Sequence, residues 1–262
     1  MSSDARLVEF YEQSYTEAER LGRREGQLEL ARTQELLGRF LSPPPAKIID
    51  IGGGTGVYAS WLASRGYAVQ LVDIVPAHVQ AAAGALNAVV GDACALPYPD
   101  GCYDVALLLG PLYHLLTVDD RLAALREASR VVRPGGLVVA AFISRGAVAL
   151  DGYVKGWIDN PGVIRAVRDH LRRGVSPAHG SGFGAIAYFH LPAEARAELE
   201  AAGLEVLALF GVEGPGWVAP DFNERWQRVE SREIILESAR LCEAEPALQA
   251  LSPHLLAFCR RP

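Results

Sequence analysis

Apolar residues recur four and seven positions apart near the start of the chain. Leu30 and Leu37, Leu36 and Phe40, and Leu37 and Leu41 are so spaced, with Glu and Arg between them. This periodicity predicts helix over residues 5–41, divided in two by Gly22 and Gly26. Ser42-Pro43-Pro44-Pro45 stops it, because proline removes amide donors and fixes φ. Short apolar runs and amphipathic stretches then alternate. Strands are expected at Lys47–Ile51, Ala68–Val72, Ala88–Val90, Tyr103–Leu109 and Leu137–Ile143, and helices at Val57–Ser64, Ala77–Leu86 and Asp119–Val132. Leu122, Leu125 and Val132 line one face of the last helix, and Thr117 with Asp120 can form a capping box at its start. Arg133-Pro134-Gly135-Gly136 is expected to end it. Leu137–Ile143 is continuously apolar, as in a strand of a parallel sheet covered on both faces. Alternation of strand and helix predicts a doubly wound α/β fold.

The rhythm breaks at Ser144. Residues 144–190 are rich in Gly, Arg and aromatic residues and carry no clean strand, which predicts an insert. Helix at Pro192–Ala202 and strand at Leu204–Phe210 resume the pattern. A Gly/Pro-rich segment, Gly211–Pro220, leads to a helical stretch at Phe222–Ala244, and Leu255–Cys259 closes as a strand.

Composition narrows the function classes. The chain has 262 residues, half of them hydrophobic and 21% charged, the profile of a globular domain able to bury a core without staples. Twenty-five basic residues face 31 acidic ones with no basic block, which argues against a polyanionic partner. Cys94, Cys102, Cys242 and Cys259 form no Cys-x-x-Cys pair, so free thiols are expected and no metal site. MSSDARLVEF lacks the basic start and apolar core of a signal peptide, and Leu137–Ile143 is far too short for a membrane span. A cytoplasmic protein without a membrane partner is expected.

The chemistry concentrates between Lys47 and Asp73. A strand ends with Asp50 near its tip, glycines stand at 52, 53, 54 and 56, a helix follows, and Asp73 closes the next strand. Glycine permits tight turns and close approach to a ligand, the helix start offers unpaired amides, and a strand-terminal carboxylate can accept ribose hydroxyls. A dinucleotide fingerprint starting at Gly52 would need its third glycine at Val57. An oxidoreductase using NAD(P) therefore has the βαβ unit and Asp73 in its favour, and leaves Asp50 unexplained.

Asp50, Gly52, Gly54 and Gly56 resemble the first motif of the class I S-adenosylmethionine-dependent methyltransferases. Asp73, Gly91-Asp92-Ala93 and Arg133-Pro134-Gly135-Gly136 follow in that family's order. Leu109-Gly110-Pro111-Leu112-Tyr113-His114 and Gly211-Val212-Glu213-Gly214-Pro215-Gly216-Trp217 are similar to segments of small bacterial members with unassigned substrates. The resemblance implies a Rossmann-like, seven-stranded, mostly parallel sheet with the last strand antiparallel. It implies one domain, with a helical cap (1–45), a cofactor-binding half (46–143), an insert (144–190) and a C-terminal part (191–262) holding a second insert near 213–250.

It also implies the site. Asp50 belongs to the cofactor motif, and Gly52, Gly53, Gly54 and Gly56 would pass the methionyl part. Asp73 with Ile74 would hold the ribose, Asp92 and Ala93 the adenine, and Leu109 and Gly110 would flank the sulfonium. Tyr11 and Tyr15 would act as lid residues, and Arg32 would pair the methionine carboxylate, a task suited to a guanidinium. The expected cofactor is S-adenosylmethionine, with S-adenosylhomocysteine as product. His114 follows the fourth strand, and either deprotonates an acceptor or holds its own turn. His190 and Glu213 border the inserts and are read as structural unless their side chains reach the pocket. Gly110-Pro111-Leu112-Tyr113 lacks the Asn or Asp found in enzymes that methylate base amines, so a small organic acceptor is expected. A non-catalytic protein that only binds S-adenosylmethionine satisfies the same motifs.

Overall fold

The computed structural model describes residues 21–22, 26–157, 159–175 and 187–262. Tyr11 and Tyr15 lie outside these residues. The strands are β1 (Lys47–Ile51), β2 (Ala68–Asp73), β3 (Asn87–Val90), β4 (Tyr103–Leu108), β5 (Val132–Ser144), β6 (Phe189–His190), β7 (Glu205–Gly211) and β8 (His254–Arg260). The helices before the long strand β5 are α1 (Gly26–Phe40), α2 (Val57–Ala63), α3 (Pro76–Ala82) and α4 (Val118–Val131). After it come α5 (Ala147–Val154), α6 (Pro161–Arg173), α7 (Pro192–Ala201), α8 (Phe222–Gln227), α9 (Val229–Cys242) and α10 (Pro246–Gln249).

The sheet runs β3-β2-β1-β4-β5-β8-β7, with β6 beside β5. β1 to β5 pair in parallel, and β8 runs antiparallel to both β5 and β7. The expected seven-stranded path with an antiparallel last strand is present, and β6 makes an eighth strand. Side chains leave alternate faces of each strand. Ile49, Ile51, Ala106, Leu108, Val138, Ala140 and Phe142 pack on one face with Ala124, Leu125 and Ala128 of α4 and Ala195 and Leu199 of α7. Ile48, Val105, Leu107, Val139 and Ala141 pack on the other with Leu36 and Leu37 of α1, Leu62 of α2 and Phe258 of β8. Two buried faces explain why these strands read as continuous apolar runs.

Three boundaries differ from expectation. β5 begins at Val132, because Arg133-Pro134-Gly135-Gly136 is a bulge within the strand: Tyr103 pairs with Val132, but Val105 already pairs with Leu137. The helical stretch after residue 222 is broken at Arg228, whose extended backbone separates α8 from α9. The insert contains α6, capped by the Asn160 side chain at its start and by left-handed Gly174 at its end. Its buried Val163, Ala166, Val167 and His170 follow helical spacing, hidden in the sequence by the arginines around them.

β6 lies where its position matters. β5 pairs with β4 only as far as Ala140, whereas Ile143 pairs with both Phe189 of β6 and His254 of β8. β6 therefore occupies the edge of β5 that β4 vacates as its chain turns away.

Phe258 is fully buried and stacks on Phe40 with ring centroids 4.0 Å apart, joining α1 to the sheet. Phe258→Ala should cost about 3–5 kcal/mol in urea denaturation. A loss under ~1 kcal/mol would show that α1 does not depend on this contact for its docking.

Candidate active site

The loops after β1, β2, β3 and β4 converge on one cleft of about 1070 Å³, counting space open to solvent. This is the edge of an open α/β sheet where strand ends diverge and ligands bind. Asp50 and Gly52 to Gly54 line it from the first loop, Asp73 and Ile74 from the second, and Asp92 and Ala93 from the third. Leu109, Gly110, Tyr113 and His114 come from the fourth. The first turn folds back over β2, with the Gly52 amide donating to the Val72 carbonyl at 2.7 Å. Gly52 has φ 68°, and a Cβ there would sit 2.8 Å from Cδ of Pro111, so the two loops touch only because this residue is glycine.

Two carboxylates sit side by side in different states. Asp73 is held by three donors: the Gly54 and Val75 amides, each at 2.8 Å, and the His78 ring at 3.2 Å. A carboxylate offers roughly four lone-pair sites, so acceptor capacity remains at its Oδ2. Asp50 is 1% exposed, and among the described residues neither of its oxygens has a hydrogen-bond partner. Burial first, and the charge of Asp73 second, raise its pKa from 3.8 to about 7. Asp92 is exposed at the rim and accepts from the Cys94 amide at 2.8 Å.

Two expected residues do not line the cleft. Gly56 lies beneath the turn with φ 85°, where a Cβ would stand 2.6 Å from Leu86 Cδ1, so its absent side chain serves packing. Arg32 is fully buried elsewhere, paired with Glu35 and Glu243 and donating to the Val212 carbonyl. The guanidinium is spent on tying α1 to the C-terminal part. Burial would raise the pKa of Glu35, but hydrogen bonds from Arg240, Arg32 and Arg39 bring it to about 2.

His190 and Glu213 also stay out of the cleft. His190 is fully buried with Nε2 3.3 Å from Glu198. Glu213 accepts from Ser252 Oγ at 2.7 Å and from the His254 amide at 3.1 Å, with His254 Nδ1 2.5 Å away. Burial would raise its pKa, but the adjacent His254 outweighs this and holds it low. Gly91 of the third loop lines it too, and Leu21, Thr55, Val57, Tyr58, Val75, His78, Pro111 and Leu115 complete the lining without having been singled out as site residues. Pro111 and Leu115 flank or fall within the segment already noted after β4. His78 and Tyr58 lie on the first turns of α3 and α2, where only the folded geometry turns them inward.

Comparisons with known proteins agree with this geometry. Residues 49–140 match a protein-family profile described as a methyltransferase domain. That match covers about a third of the chain, the stretch that builds the cleft, and it is to a methyltransferase domain that this stretch is similar. Over 121 residues it is 31% identical to malonyl-[acyl-carrier protein] O-methyltransferase of Serratia marcescens, covering 44% of this chain and 45% of that protein. Over 101 residues it is 39% identical to demethylmenaquinone methyltransferase of Mycolicibacterium vanbaalenii, covering 38% and 43%. The chain thus spans less than half the length of these relatives. A methyltransferase structure from Methanosarcina mazei superposes with a TM-score of 0.59 at 17% identity, covering 86% of this chain and 96% of that one, and so shares the fold.

The cleft fits the methyltransferase cofactor on its own chemistry. A buried carboxylate without an internal donor is costly unless a cationic or donor group meets it, and the aminoacyl end of S-adenosylmethionine supplies an ammonium. Asp50 consequently gives a prediction. In the protein without added nucleoside, unfolded Asp50 loses its proton near pH 3.8 and folded Asp50 near 7, so stability should fall as pH rises between these values. Asp50→Asn should remove that part of the fall. Thermal melts from pH 4 to 7 should show the variant gaining on the wild type with rising pH; parallel curves would contradict a raised Asp50.

Proposed function

We propose that the protein transfers the methyl group of S-adenosylmethionine to a small organic molecule in the cytoplasm, releasing S-adenosylhomocysteine. The observation that carries this reading is the placement of Asp50, Asp73 and Asp92, from three successive parallel strands, on one cleft beside a glycine turn. A dinucleotide would bring a doubly charged pyrophosphate onto that turn, against the Asp50 carboxylate. An ammonium and a sulfonium suit it instead, which favours a methyl donor over NAD(P).

When bound, S-adenosylmethionine supplies an electrophilic methyl group on a good leaving group. The chain's task is then orientation. Asp50 would receive the ammonium, the Gly52–Gly54 backbone would pass the methionyl part, Asp73 would accept from the ribose, and Asp92 with Ala93 would border the adenine. Leu109 and Gly110, directly after β4, would complete the cradle. Tyr58, Tyr113, His114 and Leu115 are part of the remaining wall, an aromatic and apolar surface for a compact acceptor. His114 takes a proton where the acceptor is a hydroxyl or an amine. The relatives described above are named for malonyl-[acyl-carrier protein] and for demethylmenaquinone. The absence of a base-recognition Asn or Asp after β4 supports a small acceptor over nucleic acid.

Calorimetric titration should show binding of S-adenosylmethionine and S-adenosylhomocysteine but not NAD. Binding of NAD alone would overturn the reading. Asp73→Ala should weaken S-adenosylhomocysteine by about tenfold or more, the worth of one hydrogen bond to a charged group. Unchanged affinity would remove Asp73 from the ribose. On an acceptor found by a methyl-release screen, His114→Gln should lower kcat with cofactor affinity intact, and unchanged turnover would exclude a base role.

A further inference from the structure

Arg121 is the most buried cation of α4, 2% exposed, and none of its atoms lines the cleft. Its guanidinium nonetheless reaches the cleft wall. Nη1 donates to the carbonyls of Leu115 at 2.9 Å and Leu116 at 3.1 Å, the end of the loop that presents Tyr113 and His114. Nε and Nη2 form a two-pronged pair with Glu198 of α7 at 2.8 and 2.7 Å. The guanidinium Cζ lies over the Tyr188 ring, 3.8 Å from the ring centroid. The Tyr188 amide in turn donates to the Tyr113 carbonyl at 2.7 Å. Tyr188 immediately precedes β6, the strand that takes the edge of β5 beyond β4.

The same loop is thus gripped twice: at Leu115 and Leu116 by Arg121, and at Tyr113 by the residue on which Arg121 stacks. The loop's own bonds include two tight-turn contacts, His114 amide to Pro111 carbonyl and Leu115 amide to Leu112 carbonyl, and buried Leu112 roots its middle in the core. A planar guanidinium can donate in two directions and stack at once, and a lysine ammonium cannot. Glu198, which burial would raise, is brought to about 2 by Arg121 and His190, so the anchor stays charged.

Resting on the methyl-transfer reading, we propose that Arg121 is a positioning residue: it fixes the Tyr113–Leu116 wall against the cofactor cradle and couples that wall to the exit of the insert. The acceptor side of the cleft then has its geometry set from outside the cleft, while the hydrogen bonds that hold the glycine turn run to β2, from Gly52 to the Val72 carbonyl and from Gly54 to Asp73.

Hydrogen exchange read by mass spectrometry tests this on the full chain saturated with S-adenosylhomocysteine. In Arg121→Met, the amides of His114, Leu115 and Tyr188 should exchange about tenfold faster or more. Amides of Gly52 to Gly54 should be unchanged and S-adenosylhomocysteine affinity within about twofold. The His114 imidazole carbon–proton resonance, assigned by its loss in His114→Gln, should shift. Unchanged exchange at these amides, or equal acceleration at the glycine turn, would overturn the proposal. Glu198→Gln keeps the shape of the pair, and should show the same local pattern more weakly even if Arg121→Met does not fold. Should S-adenosylhomocysteine fail to bind the wild type, the cofactor reading falls, and the same exchange comparison without nucleoside still decides the role of Arg121.

Discussion

Burial of the central strands on both faces is the constraint from which the rest of this structure follows. β1, β4 and β5 are covered by α4 and α7 on one side and by α1 and α2 on the other. Polar chemistry can then sit only where the strands end. Asp50 stands one residue before the tip of β1 and shares its face with fully buried Ile48. It is therefore drawn out of water along with the core, and its elevated pKa is the electrostatic consequence. A charge held there is stabilised only by a ligand that brings the opposite sign.

The neighbouring Asp73 shows how one loop geometry can give two carboxylates different tasks. Its position at the end of β2 lets the Gly54 amide reach back to it, while Val75 and His78 reach it from the following turn. It is the fixed member of the pair and part of what holds the glycine turn in place. Asp50, a strand away, receives no such help. The difference lies in backbone donors, not in residue type.

The insert has a comparable dual standing. Its final residues form β6 on the free edge of β5, and Arg145 secures them through the Phe189 carbonyl at 3.0 Å and through Glu194 at 2.5 Å. An addition of this kind would be peripheral were it not for Tyr188, which meets the loop after β4. The site consequently has one half made by the sheet and one half shaped by what was added to it.

Much was legible in the chain because local patterns and tertiary demands coincide. Continuous apolar runs between amphipathic stretches determine a doubly wound sheet, and Thr117 caps α4 as its spacing with Asp120 indicates, at 3.2 Å. Glycines and acids placed directly after strands mark the cleft, since chain order alone brings strand ends to one edge. Residues far apart in sequence were decided only by folding. Arg32 has the chemistry to meet a carboxylate, but its partners are Glu35 and Glu243, away from the cleft. Gly56 belongs to the motif by spacing and to packing by its contact with Leu86. Arg121 reads as an ordinary helix charge, and Tyr188 and Glu198, far along the chain, meet it only in the folded structure. Sequence determines which groups stand at a strand's end, because that depends on local periodicity; which groups a side chain spends itself on depends on long-range packing, and only the tertiary structure decides it.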